Sequence, residues 1–128
     1  MSKYGKTAVA AARLCASGAA APRQAWDRAA VEVFGAGTSG QRKSSPRDAF
    51  LGLCAQGLVT GIEPGKYTRS LKNRTHAVEA VRILRQHPVL ANQPPDLWRT
   101  LQAGRRKAHN GQMDVVVALW RHELIRSL

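Results

Sequence analysis

Clusters of basic side chains are the residues of this sequence whose types and spacing point most clearly to chemistry. The 128-residue chain has 20 lysines and arginines against 8 aspartates and glutamates, a formal net charge of +12 at pH 7. Lysine and arginine neutralise phosphates, and neighbouring hydroxyl groups add hydrogen bonds. We therefore expect a polyanion as partner. The predicted nucleic-acid-binding residues are Gln41, Arg42, Lys43, Arg47, Lys66, Tyr67, Arg69, Lys72, Arg74, Arg105, Arg106 and Lys107.

The basic residues are not evenly distributed. Residues 1–64 hold eight basic and four acidic side chains, whereas residues 65–128 hold twelve and four. This asymmetry favours an electrostatic footprint in the C-terminal half. The alternative interpretation is that the charges only keep a helical surface soluble.

Residues near position 45 are those expected to contact bases rather than phosphates. Gln41, Arg42, Arg47 and Asp48 precede or open a predicted helix. In helix-turn-helix proteins, the N-terminal residues of the recognition helix reach the base edges. Tyr67 lies beside two basic residues and outside the apolar stripes, so its phenol is expected either to contact nucleic acid or to pack against a helix.

The segment 46–68 predicts a short helix followed by a small hairpin. Apolar residues recur at helical spacing over 50–54, and Gly57 can end the helix with a positive φ. The chain then turns to β-favouring residues, and Gly65 after a proline suits a type II turn. This order is typical of a winged helix-turn-helix with Lys66 at the hairpin tip. Alternatively, the turn simply joins two helices.

Helical patterns account for most of the remaining chain. Helices are expected over about 4–17, 22–35, 73–86, 96–101 and 113–124. Glycines and hydroxyl side chains over 35–45 predict a flexible connection and a candidate functional loop. The expected fold is mostly α, a single compact helical domain of five to seven helices with a minor β-hairpin, winged-helix-like in the middle.

Metal and catalytic patterns are absent from the sequence. Its histidines are His76, His87, His109 and His122, and they match no ligand spacing. The eight carboxylates are scattered as well. We therefore predict no metal, no cofactor and no enzymatic activity; a hydrolase or nuclease assembled from distant residues is the remaining alternative.

Cysteine usage and hydropathy indicate the compartment. Cys15 and Cys54 both lie in apolar helical patterns, which excludes a disulfide framework and suits a reducing cytoplasm. The alanine-rich N-terminal run is interrupted by Arg13 and is too short and polar to span a membrane. The sequence predicts a cytoplasmic protein without membrane contact.

Several short motifs along the chain resemble an uncharacterised bacterial family of small domains of unknown function. They are Tyr4-Gly5-Lys6, Ala25-Trp26 with Ala29, Phe34-Gly35, the run FLGLCAQGLVTGI at 50–62, and Gly65-Lys66-Tyr67-Thr68 with Ser70 and Asn73. The resemblance covers about residues 4–85 and implies no activity or catalytic residue. It suggests one domain over 1–128, with a family-like region at 4–87 and a two-helix C-terminal extension at 88–128.

Two functions are compatible with these patterns. The first is a non-enzymatic, winged-helix-like nucleic-acid-binding module, with duplex DNA as the expected ligand. The second is a basic adaptor that docks an acidic protein surface or forms a homodimer through its closing helix, where Trp120 follows a valine stripe.

Overall fold

In residues 1–102 and 111–126, which the computed structural model describes, the chain forms seven α-helices and one 3₁₀ segment. The helices are α1 (Lys3–Ala16), α2 (Pro22–Phe34), α3 (Ser39–Arg42), α4 (Ser44–Ala55), α5 (Leu71–Gln86), α6 (Pro94–Gln102) and α7 (Gln112–Arg121). The 3₁₀ segment, Pro88–Asn92, joins α5 to α6. The mostly helical expectation is confirmed.

Local sequence explains where several helices begin and end. The Ser2 hydroxyl caps α1 by accepting a hydrogen bond from the Gly5 N–H (3.0 Å). The end of α4 depends on Gly57, whose φ of 71° is accessible to glycine at little cost. The Leu58 N–H then returns to the Leu53 carbonyl (3.0 Å), which closes the last turn of α4.

One hydrophobic core unites the helices into a single compact domain, and α7 lies at its centre. This helix packs against α1, α4, α5 and α6. Its Met113, Val116 and Leu119 are fully buried. Trp26 of α2 joins the same core by packing on Phe50 of α4, with ring centroids 5.5 Å apart. The valine stripe of α7 is therefore used inside the domain.

The hairpin expected over residues 58–68 is not found in the part of the chain that the structure describes. Val59 pairs instead with Ile125 in an isolated antiparallel bridge. Two backbone hydrogen bonds of 2.8 Å flank this pair, one donated by Thr60 and one by Arg126. The extended segment after α4 thus takes its partner from the C-terminal end of the described chain, beyond α7.

The type II turn expected at Gly65 is also not formed, because Gly65 does not adopt a positive φ. Its N–H donates to the Ala55 carbonyl at the end of α4 (3.3 Å). The Tyr67 hydroxyl donates to the Glu63 carbonyl (2.7 Å). These contacts hold residues 63–67 as an irregular loop against α4.

Candidate functional site

Predicted basic residues from the middle of the chain come together in a groove of about 1120 Å³. Its walls are the starts of α2, α4 and α5, together with residues 66–70 leading into α5. We call this surface the basic groove and define it by its charged residues. They are Arg23, Arg47, Asp48, Lys66, Arg69 and Arg74. Five cations against one carboxylate make the groove strongly positive.

Residues from the first two turns of three helices, α2, α4 and α5, line the basic groove. Arg23 is the second residue of α2, while Arg47 and Arg74 are the fourth residues of α4 and α5. None of these helices has an acidic residue in its first turn, and α2 and α4 have no side-chain cap. Helix N-termini attract anions and disfavour cations. The arginines therefore reinforce an anion-attracting field at a cost in helix stability.

A short hydrogen-bonded chain holds one wall of the groove together. The Ser70 N–H donates to the Thr68 hydroxyl (3.1 Å), and that hydroxyl donates to Asp48 Oδ1 (3.2 Å). The same carboxylate oxygen lies 3.6 Å from Arg47 Nε. This Nε atom is buried and makes no hydrogen bond in the described structure. Asp48 thus links the segment before α5 to the start of α4 and lies beside Arg47.

The other cations of the groove form no ion pair with a carboxylate of the described residues. Elsewhere, Arg82 and Arg99 form ion pairs of 3.3 Å and 2.9 Å with carboxylates one turn away in their own helices. Within residues 1–102 and 111–126, no carboxylate lies within 4 Å of the charged nitrogens of Arg23, Lys66, Arg69 or Arg74. Their charges remain available to an external anion.

Other predicted binding residues do not line the groove. The side-chain oxygen of Gln41 accepts a hydrogen bond from the Gly37 N–H (3.2 Å), within the connection between α2 and α4. Lys43 Nζ lies 5.7 Å from the centroid of the Tyr4 ring. Arg42 is exposed on α3, and Lys72 is exposed in the first turn of α5. The connection over 35–45, expected to be flexible, contains the one-turn helix α3.

The remaining predicted residues, Arg105, Arg106 and Lys107, lie outside the described part of the chain. Five predicted residues do line the basic groove. They are Arg47, Lys66, Tyr67, Arg69 and Arg74.

Sequence reasoning missed Arg23. Its signal was the start of α2, where Pro22 at the first helical position is followed by a cation rather than the acidic residue that helix dipoles favour. A cation there weakens the helix unless an anion binds nearby. That pattern was available in the sequence, but the proximity of Arg23 to Arg47 and Arg74 was not.

The two cysteines are free. Cys54 is fully buried in α4, and burial strongly raises the pKa of its thiol. Cys15 is half-buried in α1, and burial also raises its pKa. Neither thiol has the lowered pKa of a reactive cysteine.

The described residues contain neither a metal-binding cluster nor a membrane-spanning helix. No group of three or more histidine, cysteine, aspartate or glutamate side chains there is arranged to hold a metal ion. Within the same residues, no helix combines the length and apolar character needed to cross a membrane.

Comparison with protein families identifies a family for this chain. The model of a family of unknown function, DUF6979, matches residues 1–126. The match therefore extends beyond the motifs at 4–85 and includes α6 and α7. No curated protein and no solved structure matches the chain.

Proposed function

The chain belongs to this family of unknown function, and from its geometry we propose that it is a non-enzymatic nucleic-acid-binding module that holds a sugar–phosphate backbone in the basic groove. One observation carries the proposal: five cations, three of them arginines in the first turns of α2, α4 and α5, line one concave surface. Arginines at helix starts are unfavourable for folding alone. Binding of a polyanion gives them a role.

The groove is suited to phosphates rather than to base-specific readout. Charged contacts to phosphate fix the position of a protein on nucleic acid but carry no sequence information. A winged-helix module would place α4 in a major groove and a wing beside it. In this chain every residue from Ala49 to Cys54 is buried, so only the first turn of α4 and the neighbouring segment 63–69 are available. The proposal therefore rests on contacts to the backbone.

An acidic protein partner is the competing function. It would use the same basic groove, since five cations attract carboxylates as well as phosphates. Homodimerisation through the valine stripe of α7 is disfavoured, because Val115 and Val116 are fully buried within the domain. Two free thiols are compatible with a reducing cytoplasm, where we place this function.

Binding of labelled oligonucleotides, followed by fluorescence anisotropy, tests the proposal. The groove variant carries Arg23→Gln, Arg47→Gln and Arg74→Gln. A matched control carries Arg13→Gln, Arg28→Gln and Arg82→Gln, which remove the same charge outside the groove. We expect the groove variant to lose affinity by about tenfold or more for each arginine replaced, since each charged hydrogen bond is worth roughly 1.5–3 kcal/mol. The control should lose much less.

Equal losses in the two variants would mean that only net charge matters and would contradict the proposal. The parent protein could instead bind no oligonucleotide at physiological salt and form a stoichiometric complex with an acidic protein. That result would replace nucleic-acid binding by the adaptor function.

A further inference from the structure

Tyr67 distinguishes the basic groove from a merely charged surface, because it places an aromatic ring among the cations. We infer that the nucleic acid held there is single-stranded and stacks one base on Tyr67, with its phosphates on the neighbouring cations. This inference deepens the proposed function and rests on it. It concerns the class of ligand, which the charges alone leave open between duplex and single strand.

The Tyr67 ring is held in place before any ligand arrives. Its hydroxyl donates to the Glu63 carbonyl (2.7 Å), a bond that closes the loop on itself. Gly65 lies against the ring so closely that a Cβ atom there would be 3.0 Å from Tyr67 Cζ. The ring is only half-buried and lines the groove. An aromatic ring fixed at the wall of a groove can stack a base with little further loss of side-chain freedom.

Cations adjoin the ring in sequence and in space. Lys66 and Arg69 lie on either side of Tyr67 in the chain, and all three line the groove. Arg47 and Arg74 bring charge from the starts of α4 and α5. Proteins that bind single strands combine these two features, a positive groove that follows the backbone and an aromatic ring on which a base stacks. Base stacking needs no hydrogen bond to the base edge, so it tolerates different sequences.

The same surroundings are poorly suited to duplex DNA. Direct reading of a duplex requires an element that enters a groove between the strands. Residues 49–54 of α4 are buried, and the loop at 63–67 is tied back to α4 by the Gly65–Ala55 hydrogen bond. Bases inside a duplex are also stacked on each other and present no free face to Tyr67. A single strand can present an unstacked base.

Anisotropy titrations with three matched probes test the inference at one salt concentration. The probes are a single-stranded oligonucleotide, the same strand with abasic sites in place of its nucleosides, and the corresponding duplex. We expect the natural single strand to bind more tightly than the duplex. It should also bind roughly 5- to 150-fold more tightly than the abasic strand, the range for one stacked base.

Two variants test whether the Tyr67 ring causes the difference in affinity between the natural and the abasic strand. Tyr67→Phe keeps the ring and should keep the preference for the natural strand. Tyr67→Leu should bind natural and abasic strands alike. Polyphosphate, which has charge but no bases, provides the control for an intact groove, and Tyr67→Leu should lose much less affinity for it than for the natural strand. The comparison of natural and abasic strands on the parent protein needs no variant, so misfolding of Tyr67→Leu does not weaken the test.

Failure of the single-strand inference can be distinguished from failure of the proposed function. Equal affinity for natural and abasic strands, or tighter binding of the duplex, would overturn the single-strand inference and leave the proposed function standing. No binding of any probe at low salt would overturn the proposed function itself.

Discussion

Gly52 of α4 and Arg74 of α5 lie in direct contact: a Cβ atom at position 52 would lie only 2.6 Å from Arg74 Cα. A contact this short leaves room for a hydrogen atom and for no side chain. Because Arg74 lies in the first turn of α5, the same contact sets where α5 begins relative to α4. A packing detail in the core therefore determines the position of a cation in the basic groove.

Replacing Gly52 tests this coupling. Gly52→Ala should force α5 away from α4, because the opposing atom belongs to backbone and cannot rotate aside. We expect the free energy of unfolding to fall by about 1–3 kcal/mol, the usual cost of overpacking, and oligonucleotide affinity to fall with it. Urea denaturation measures the first effect. Thr75→Ala, an exposed change one residue beyond Arg74, should alter stability by no more than about 0.5 kcal/mol.

Charge at opposite helix ends should affect stability with opposite signs. Arg23 lies in the first turn of α2, and Arg121 lies in the last turn of α7. Without ligand, Arg23→Gln should raise the free energy of unfolding by about 0.3–1 kcal/mol, and Arg121→Gln should lower it by a similar amount. Urea denaturation at low ionic strength measures both, and added salt should shrink both effects. A loss of stability in Arg23→Gln would instead indicate that Arg23 has a structural role.

Asp48 is the one carboxylate among the charged residues that line the groove. Asp48→Asn removes its charge but keeps an oxygen that accepts the hydrogen bond from Thr68. Affinity for oligonucleotides should therefore rise by about two- to tenfold at low salt. Asp27→Asn, on α2 outside the groove, is the control and should have less effect. A lower affinity of Asp48→Asn would mean that the carboxylate is needed to orient Arg47.

The Cys54 thiol should make stability depend on alkaline pH. Burial raises its pKa in the folded protein, and the charge of the Cys15 thiolate raises it further. The folded state then keeps a proton that the unfolded chain releases near the ordinary pKa of 9.0. Stability is therefore lost as pH rises above about 9. The parent protein should lose up to about 1.4 kcal/mol per pH unit more than Cys54→Ala. The prediction is wrong if the free energies of unfolding of the parent protein and of Cys54→Ala change by the same amount between pH 8 and pH 11.

Helices were predictable because their information is local. Apolar residues at helical spacing place α1, α2 and α7, and glycines such as Gly57 mark where helices end. The valine stripe of α7 was also recognised from the sequence, and it is buried inside the domain, whereas Trp120 is half-buried. The homodimer expected through this helix stays a prediction.

The pairing of distant segments and the clustering of distant cations were not predictable from local patterns. The extended residues after α4 were correctly identified as β-favouring, but Val59 pairs with Ile125 rather than with residues a few positions away. Local patterns contain no information on such a distant partner. The basic groove could not be predicted for the same reason, since Arg23 joins Arg47 and Arg74 only through the packing of three helices that are distant in sequence.

The salt dependence of oligonucleotide binding tests the central claim most directly. For single strands, the slope of log Kobs against log salt is about −0.7 per phosphate neutralised. If the basic groove holds the backbone, replacing Arg23, Arg47 and Arg74 by glutamine should make the slope less negative by about 2. Replacing Arg13, Arg28 and Arg82 should leave it unchanged. The same slope for the parent protein and both triple variants would contradict the account.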